Sequence, residues 1–176
     1  ALNTPGYTIP LAITVILGAE ANASFYNSWM IASFAFIASW HLATVLFAVS
    51  SENQAELTDK LHTTLKIGFC FAIITTVGLY FTSGFILNLF GPEYAEQATW
   101  CLRILGFSAI PVIIRDHYVA ISRIKDQLPS ALVIIIIGSI FEFSFAAIGA
   151  MLFGLTGVAA GWTLAIILED IFMIQR

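Results

Sequence analysis

Charge is what this sequence has least of. Asp, Glu, Lys and Arg together make up 10% of its 176 residues, whereas 59% are hydrophobic. A soluble domain carries about 25% charged residues. This chain cannot cover itself with a hydrated surface, so its solvent is expected to be lipid. Cysteine is nearly absent too. Cys70 and Cys101 lie in separate apolar runs, which excludes a disulfide framework and reads as two small core residues. A Gly-rich phosphate loop, a paired metal-ligand motif and a Ser–His–Asp or Cys–His arrangement are all missing. No basic, aromatic stripe points to nucleic acid as a partner. The expectation is a protein that is not an enzyme and uses no cofactor or metal. The start, "ALNTPGYTIPLAITVILG", has no leader pattern and reads as a helix entered partway, as in a piece of a longer membrane protein.

Long apolar runs are what the sequence does have. Six stretches, near 2–18, 24–49, 63–90, 97–122, 128–153 and 157–174, approach or exceed the roughly 20 apolar residues of a membrane helix. Residues 67–90 contain no charge, and residues 21–51 contain one side chain able to carry charge near neutral pH, His41. Lipid offers the backbone no hydrogen-bond partners, so the fold class is all-α: six transmembrane helices over residues 1–176. Gly91 suits a left-handed position closing the third span, and Pro92 the first turn of the fourth, with Glu93 and Glu96 near its positive end. Pro129 opens the fifth span in the same way. Pro111, inside the fourth, is expected to kink it or free carbonyls near residue 107. The two glycines of "FGLTG" at 153–157 predict a tight turn between the last two spans.

With six spans, Lys60, Lys66, Arg115, Arg123, Lys125 and Arg176 share one side, and Arg103 stands alone on the other. The positive-inside rule makes the richer side cytoplasmic, with both ends of the segment there. In the 50–66 connection, Ser51 and Gln54 fit a capping box and Glu56 with Lys60 an i,i+4 pair, predicting a short juxtamembrane helix. Arg103, beside Trp100, reads as an outer interface anchor. Glu169 and Asp170 read as a charged helix exit near Arg176.

The scarce charges concentrate in "IPVIIRDHYVAISR" at 110–123. Arg115 lies roughly 12 Å inside the cytoplasmic end of its span, and His41, on the second span, at a similar depth. Consecutive helical positions are about 100° apart, so Arg115, Asp116 and His117 cannot all face one way. Arg115 either snorkels or contacts Asp116 structurally, or it lines a cavity. Glu142 lies roughly 20 Å deep, where a carboxylate faces a bundle interior or a pathway and often exchanges protons. His41 is either a satisfied interior residue or a proton carrier. His41, Glu142, Arg115, Asp116 and His117 are therefore the candidate pathway residues. Titratable groups at depth, with no chemical site at the surface, favour transport over catalysis.

Three stretches carry a family resemblance: "LGAEANASFYNSWMIAS" at 17–33, "LFGPEYAEQATWCLRILGFSAIPV" at 89–112 and "FGLTGVAAGWTLA" at 153–165. In order and spacing the chain resembles polysaccharide and lipid-linked oligosaccharide flippases of the multidrug/oligosaccharidyl-lipid/polysaccharide exporter superfamily. The likeness runs through essentially all 176 residues and corresponds to the C-terminal six-helix lobe of a two-lobe protein. It implies alternating access in the cytoplasmic membrane against a missing N-terminal lobe. The cargo implied is an isoprenoid pyrophosphate-linked glycan, moved to the outer leaflet for cell-surface polysaccharide or lipopolysaccharide synthesis, with proton or sodium coupling. Such flippases hold the pyrophosphate in a cationic cavity lined by the first two helices of each lobe, which favours His41. Apart from His41 those two spans are uncharged here, so the cations would come mostly from the other lobe. The alternatives are an ion-coupled exporter of drugs or organic cations in the same superfamily, and a non-transporting scaffold for glycan assembly.

Overall fold

The computed structural model describes residues 4–50 and 56–175, and side chains from residue 8 onward. Six helices account for almost all of it: α1 (Thr4–Leu17), α2 (Ala19–Ser50), α3 (Leu57–Asn88), α4 (Pro92–Phe107), α5 (Ala109–Ile124) and α6 (Leu128–Ile174). Helices α2, α3 and α6 are long and apolar enough to cross a membrane, and the pair α4 and α5, bent by 40°, makes a fourth such unit. Helix α1, with 14 described residues, is about 21 Å long, short of the roughly 30 Å hydrocarbon core. The Ser51–Gln54 capping box and Arg176 lie outside the described residues.

Proline and glycine set several boundaries. Pro92 occupies the first turn of α4 and Pro129 that of α6, where the missing N–H is not needed. Gly91 has φ 142° and ψ 146°, an extended glycine-only conformation that leads into α4 rather than the left-handed cap expected for α3. The expected bend upstream of Pro111 falls at Ser108. The proline ring cannot donate to the carbonyl of Phe107, and α4 ends at that residue.

The 50–66 connection departs from expectation. Helix α3 starts at Leu57 and runs unbroken to Asn88, so Lys60 and Lys66 ride on its first turns and not on a separate helix. The Glu56–Lys60 pair forms at 3.0 Å, and Lys60 also donates to the carbonyl of Val49 at 2.8 Å.

Helix α6 differs more. Its 47 residues would extend about 70 Å, more than twice the hydrocarbon core. The chain instead reverses at Phe153 (φ −136°) and Gly154 (φ 62°, ψ −143°), and the two arms fold back on each other. Of the two glycines in "FGLTG", Gly154 makes the corner, while Gly157 allows close packing. An added Cβ on Gly157 would strike the carbonyl of Gly149, and one on Gly161 the carbonyl of Phe145. Farther along the same seam, the carboxyl of Glu169 occupies the notch at Gly138. Small residues at a helix interface let backbones approach in lipid, where there is little hydrophobic drive for helices to associate.

Packing elsewhere follows that rule. The buried stripe of α2 is Ser24, Phe25, Ser28, Ala32, Ala35, Ser39, Ala43, Leu46 and Ser50, spaced by three and four and mostly small. The main core gathers Ile9, Ile13, Phe25, Leu102, Leu105, Val158, Trp162 and Ile166. Trp162 is its centre, edge-on to Trp29 at 4.6 Å and tilted against Phe36 at 5.7 Å. The outer surface is large and apolar: Phe81, Phe153, Phe34 and Phe85 are each at least 70% exposed. Water would not tolerate such a surface, but lipid does. Cys101 is buried as expected. Cys70 is exposed on α3, against its reading as a core residue, because apolar sequence in lipid marks the outside as well as the inside.

Candidate functional site

The seam between the two arms of α6 carries a chain of polar contacts. Gly138 and Glu142 lie one turn apart on the first arm, and Trp162 and Glu169 two turns apart on the second, so both pairs face the seam. Trp162 donates its Nε1–H to Oε2 of Glu142 at 2.8 Å. Arg115, from α5, donates Nη1–H to Oε1 of the same carboxylate at 2.9 Å. The side chain of Glu142 is 1% exposed and that of Arg115 is 12% exposed. Arg115 therefore neither snorkels to a head group nor bridges Asp116; its partner is on another helix. An ion pair this dry persists because each charge answers the other and the second carboxylate oxygen is also satisfied.

Around this pair lies a surplus of acid. Asp116 neighbours Arg115 in sequence, and Glu169 and Asp170 are buried on the second arm, but Arg115 forms a salt bridge with Glu142 alone among the described residues. Glu169 and Asp170 are 5% and 3% exposed; Glu169 lies beside Glu142, and neither carboxylate oxygen of Asp170 has a hydrogen-bond partner among the described residues. Their reading as a charged helix exit is thus overturned. The sequence held a signal for this: "IFMI" continues apolar past the pair, and Glu169 is seven residues from Trp162, on one helical face. Among the described residues, no three His, Cys, Asp or Glu side chains are grouped to hold a metal ion.

The other candidates are dispersed. His117 is buried, with Nδ1 2.9 Å from the carbonyl of Ile113 and Nε2 without a hydrogen-bond partner among the described residues. His41 is exposed on α2, its ring 5.1 Å from that of Trp40. Asp116 is half-buried and lines a groove of about 50 Å³ between the last turns of α2 and α5, with Trp40, Thr44, Phe47, Ala120 and Arg123. Arg103 lies on α4, turned against α3. Its guanidinium lies over Trp100 at 4.6 Å and Tyr80 at 4.9 Å, and its Nε–H donates to the carbonyl of Tyr80.

The Gly138 notch makes a specific expectation. An alanine there would collide with the carboxyl of Glu169, the far end of a flexible side chain, which can swing away. Gly138→Ala should cost about 1–3 kcal/mol of stability at most. Thermal unfolding in lipid nanodiscs should show this small loss, with Glu169 displaced from the seam.

Comparison with solved structures identifies the architecture. A multidrug resistance MATE family transporter of the MOP superfamily, in an inward-facing conformation, superimposes with a TM-score of 0.81 at 15% identity, over 99% of this chain and 41% of that one. A MATE structure in a bent conformation gives 0.79 at 17% identity, over 98% and 41%. A MOP superfamily transporter from Pyrococcus furiosus, for which the reverse polarity of its binding pocket suggests a different function, gives 0.77 at 13% identity, over 96% and 39%. No family model and no curated protein matches the sequence. The chain spans about two fifths of the length of these transporters, and over that length it has their all-α membrane fold.

Proposed function

We propose that this segment is one lobe of an ion-coupled, alternating-access transporter that moves an isoprenoid pyrophosphate-linked glycan across the cytoplasmic membrane. The observation that carries transport is the seam: one arginine, a paired glutamate and further buried carboxyls deep inside a lipid-facing bundle. Titratable groups at such depth mark ion or proton pathways. Glu142, Arg115, Asp116 and His117 belong to that pathway. The exposed Trp40 and His41 supply a ring face and a hydrogen-bonding edge suited to a sugar head group. Cations for the pyrophosphate would come from the other lobe. Both ends of the segment lie on the cytoplasmic side.

A second reading, export of an organic cation, is favoured by the acidic excess around Arg115. The two are separated by reconstituting the full-length protein in vesicles with a fluorescent isoprenoid pyrophosphate disaccharide or with ethidium. Faster appearance of the disaccharide on the far leaflet supports the glycan. Ethidium movement without it overturns the glycan in favour of the cation, and movement of neither removes both. Single cysteines at 55–62 and 124–127 should react with an impermeant thiol reagent from the same, cytoplasmic, face; reaction from opposite faces would end the six-span topology.

A further inference from the structure

Arg103 is the one cation of α4, and no carboxylate pairs with it among the described residues. Its Nε–H is committed to α3, 3.0 Å from the carbonyl of Tyr80 and 3.2 Å from Oγ of the buried Ser83. The rings of Trp100 and Tyr80 hold the guanidinium in place, and its two Nη groups make no hydrogen bond among the described residues. The surface around it is apolar, with Trp100, Tyr80 and Phe107 all exposed. A cation fixed in such a surface is costly in lipid unless an anion joins it. Along α4, Trp100 lies three residues before Arg103 and Glu96 seven, so the three share one helical face. Glu96 is exposed, roughly 10 Å nearer the α3–α4 turn, and makes no ion pair among the described residues. Glu93, one turn nearer still, adds to the same charge. From the turn inward the face therefore reads carboxylate, indole, guanidinium.

We infer that this face of α4, with Tyr80 of α3, binds the head group of an ethanolamine phospholipid in the adjoining leaflet. Two oxygens of the phosphodiester accept from the free Nη1 and Nη2 edge of Arg103, the two-pronged geometry that suits arginine to phosphate. In such a lipid the ammonium lies on the water side of the phosphate. There it meets the ring face of Trp100 and the carboxylate of Glu96. The acyl chains run the other way, past the exposed Phe107 on α4 and Val77 on α3, one turn deeper than Arg103 and Tyr80. The order of the charges selects the lipid class. A glycerol head group brings no cation to Glu96 and leaves that carboxylate facing a phosphate. A choline head group brings a cation with no N–H to donate. The site depends on the membrane-facing fold of the α3–α4 pair and not on the cargo.

Native mass spectrometry of the full-length protein tests this, after release from nanodiscs holding equal parts of phosphatidylethanolamine, phosphatidylglycerol and phosphatidylcholine. The unaltered protein should keep a phosphatidylethanolamine that Arg103→Gln loses, its occupancy falling roughly 10-fold or more, the weight of a hydrogen bond to a charged group. Arg103→Lys keeps the charge without the two-pronged edge and should fall between the two. Glu96→Gln should retain a phospholipid but lose the choice, holding phosphatidylethanolamine and phosphatidylglycerol alike. Arg103 also ties α4 to α3, so its variants could loosen the fold; Glu96 makes no ion pair among the described residues, and its variant tests the site with the fold intact. Equal phosphatidylethanolamine occupancy with and without Arg103 overturns the inference, as does an unchanged preference in Glu96→Gln. Neither readout involves a transported molecule, so failure here is distinct from failure of the transport reading.

Discussion

Glu142→Leu is expected to destabilise the protein by about 3–5 kcal/mol, the usual result of stranding one member of a buried ion pair. The leucine removes the acceptor for both Arg115 and Trp162, leaving a guanidinium and an indole N–H without their partner in the bundle. Arg115→Leu alone should also be costly, because Glu142 then keeps one donor for a full charge. The double variant Arg115→Leu, Glu142→Leu should recover most of the loss, since an apolar pair of similar volume is often neutral where either half-pair is not. Its remaining penalty is the orphaned Trp162 N–H, worth about 1–3 kcal/mol. Denaturant unfolding of the four proteins in mixed micelles gives the coupling energy directly. If the single losses simply add, the two side chains do not depend on one another.

Gly157→Ala is the second large effect. The obstacle is the backbone carbonyl of Gly149, which has no rotamer to yield. The arms of α6 must part along their whole seam or the carbonyl must leave its helix. The cost expected is about 3 kcal/mol, the upper end of ordinary overpacking. Gly78→Ala is the matched comparison: in the middle of α3, an added Cβ meets nothing within 4 Å. There the change should stabilise by about 0.4–1 kcal/mol through the unfolded chain. Opposite signs for the same substitution, read as shifts in thermal midpoint, check the seam. Equal effects would mean the arms are not in contact.

The parts of the fold that were readable from the sequence are those fixed within one or two turns of chain. Pro92 and Pro129 start helices, Pro111 bends the fourth span, and Glu56 reaches Lys60, because each depends on local backbone geometry. The site was less readable, because it depends on register between helices. Nothing near Arg115 says that its partner lies 27 residues away on the first arm of α6. Glu169 looked terminal because the pairing of Gly138 with position 169 exists only after α6 has folded back. Cys70 and Cys101 sit in equally apolar runs. In a lipid-solvated protein, hydrophobicity locates a span without saying which face turns inward.

The corner at Phe153–Gly154 has a consequence for biogenesis. It provides no polar connector, and each arm taken singly exposes an acid to hydrocarbon, Glu142 on one and Glu169 with Asp170 on the other. Released separately from an insertion channel, each arm would carry its acids into lipid uncovered, a cost that its apolar residues would have to offset. Release as a preformed hairpin covers those acids at once, which favours integration of the 47-residue helix as a single unit.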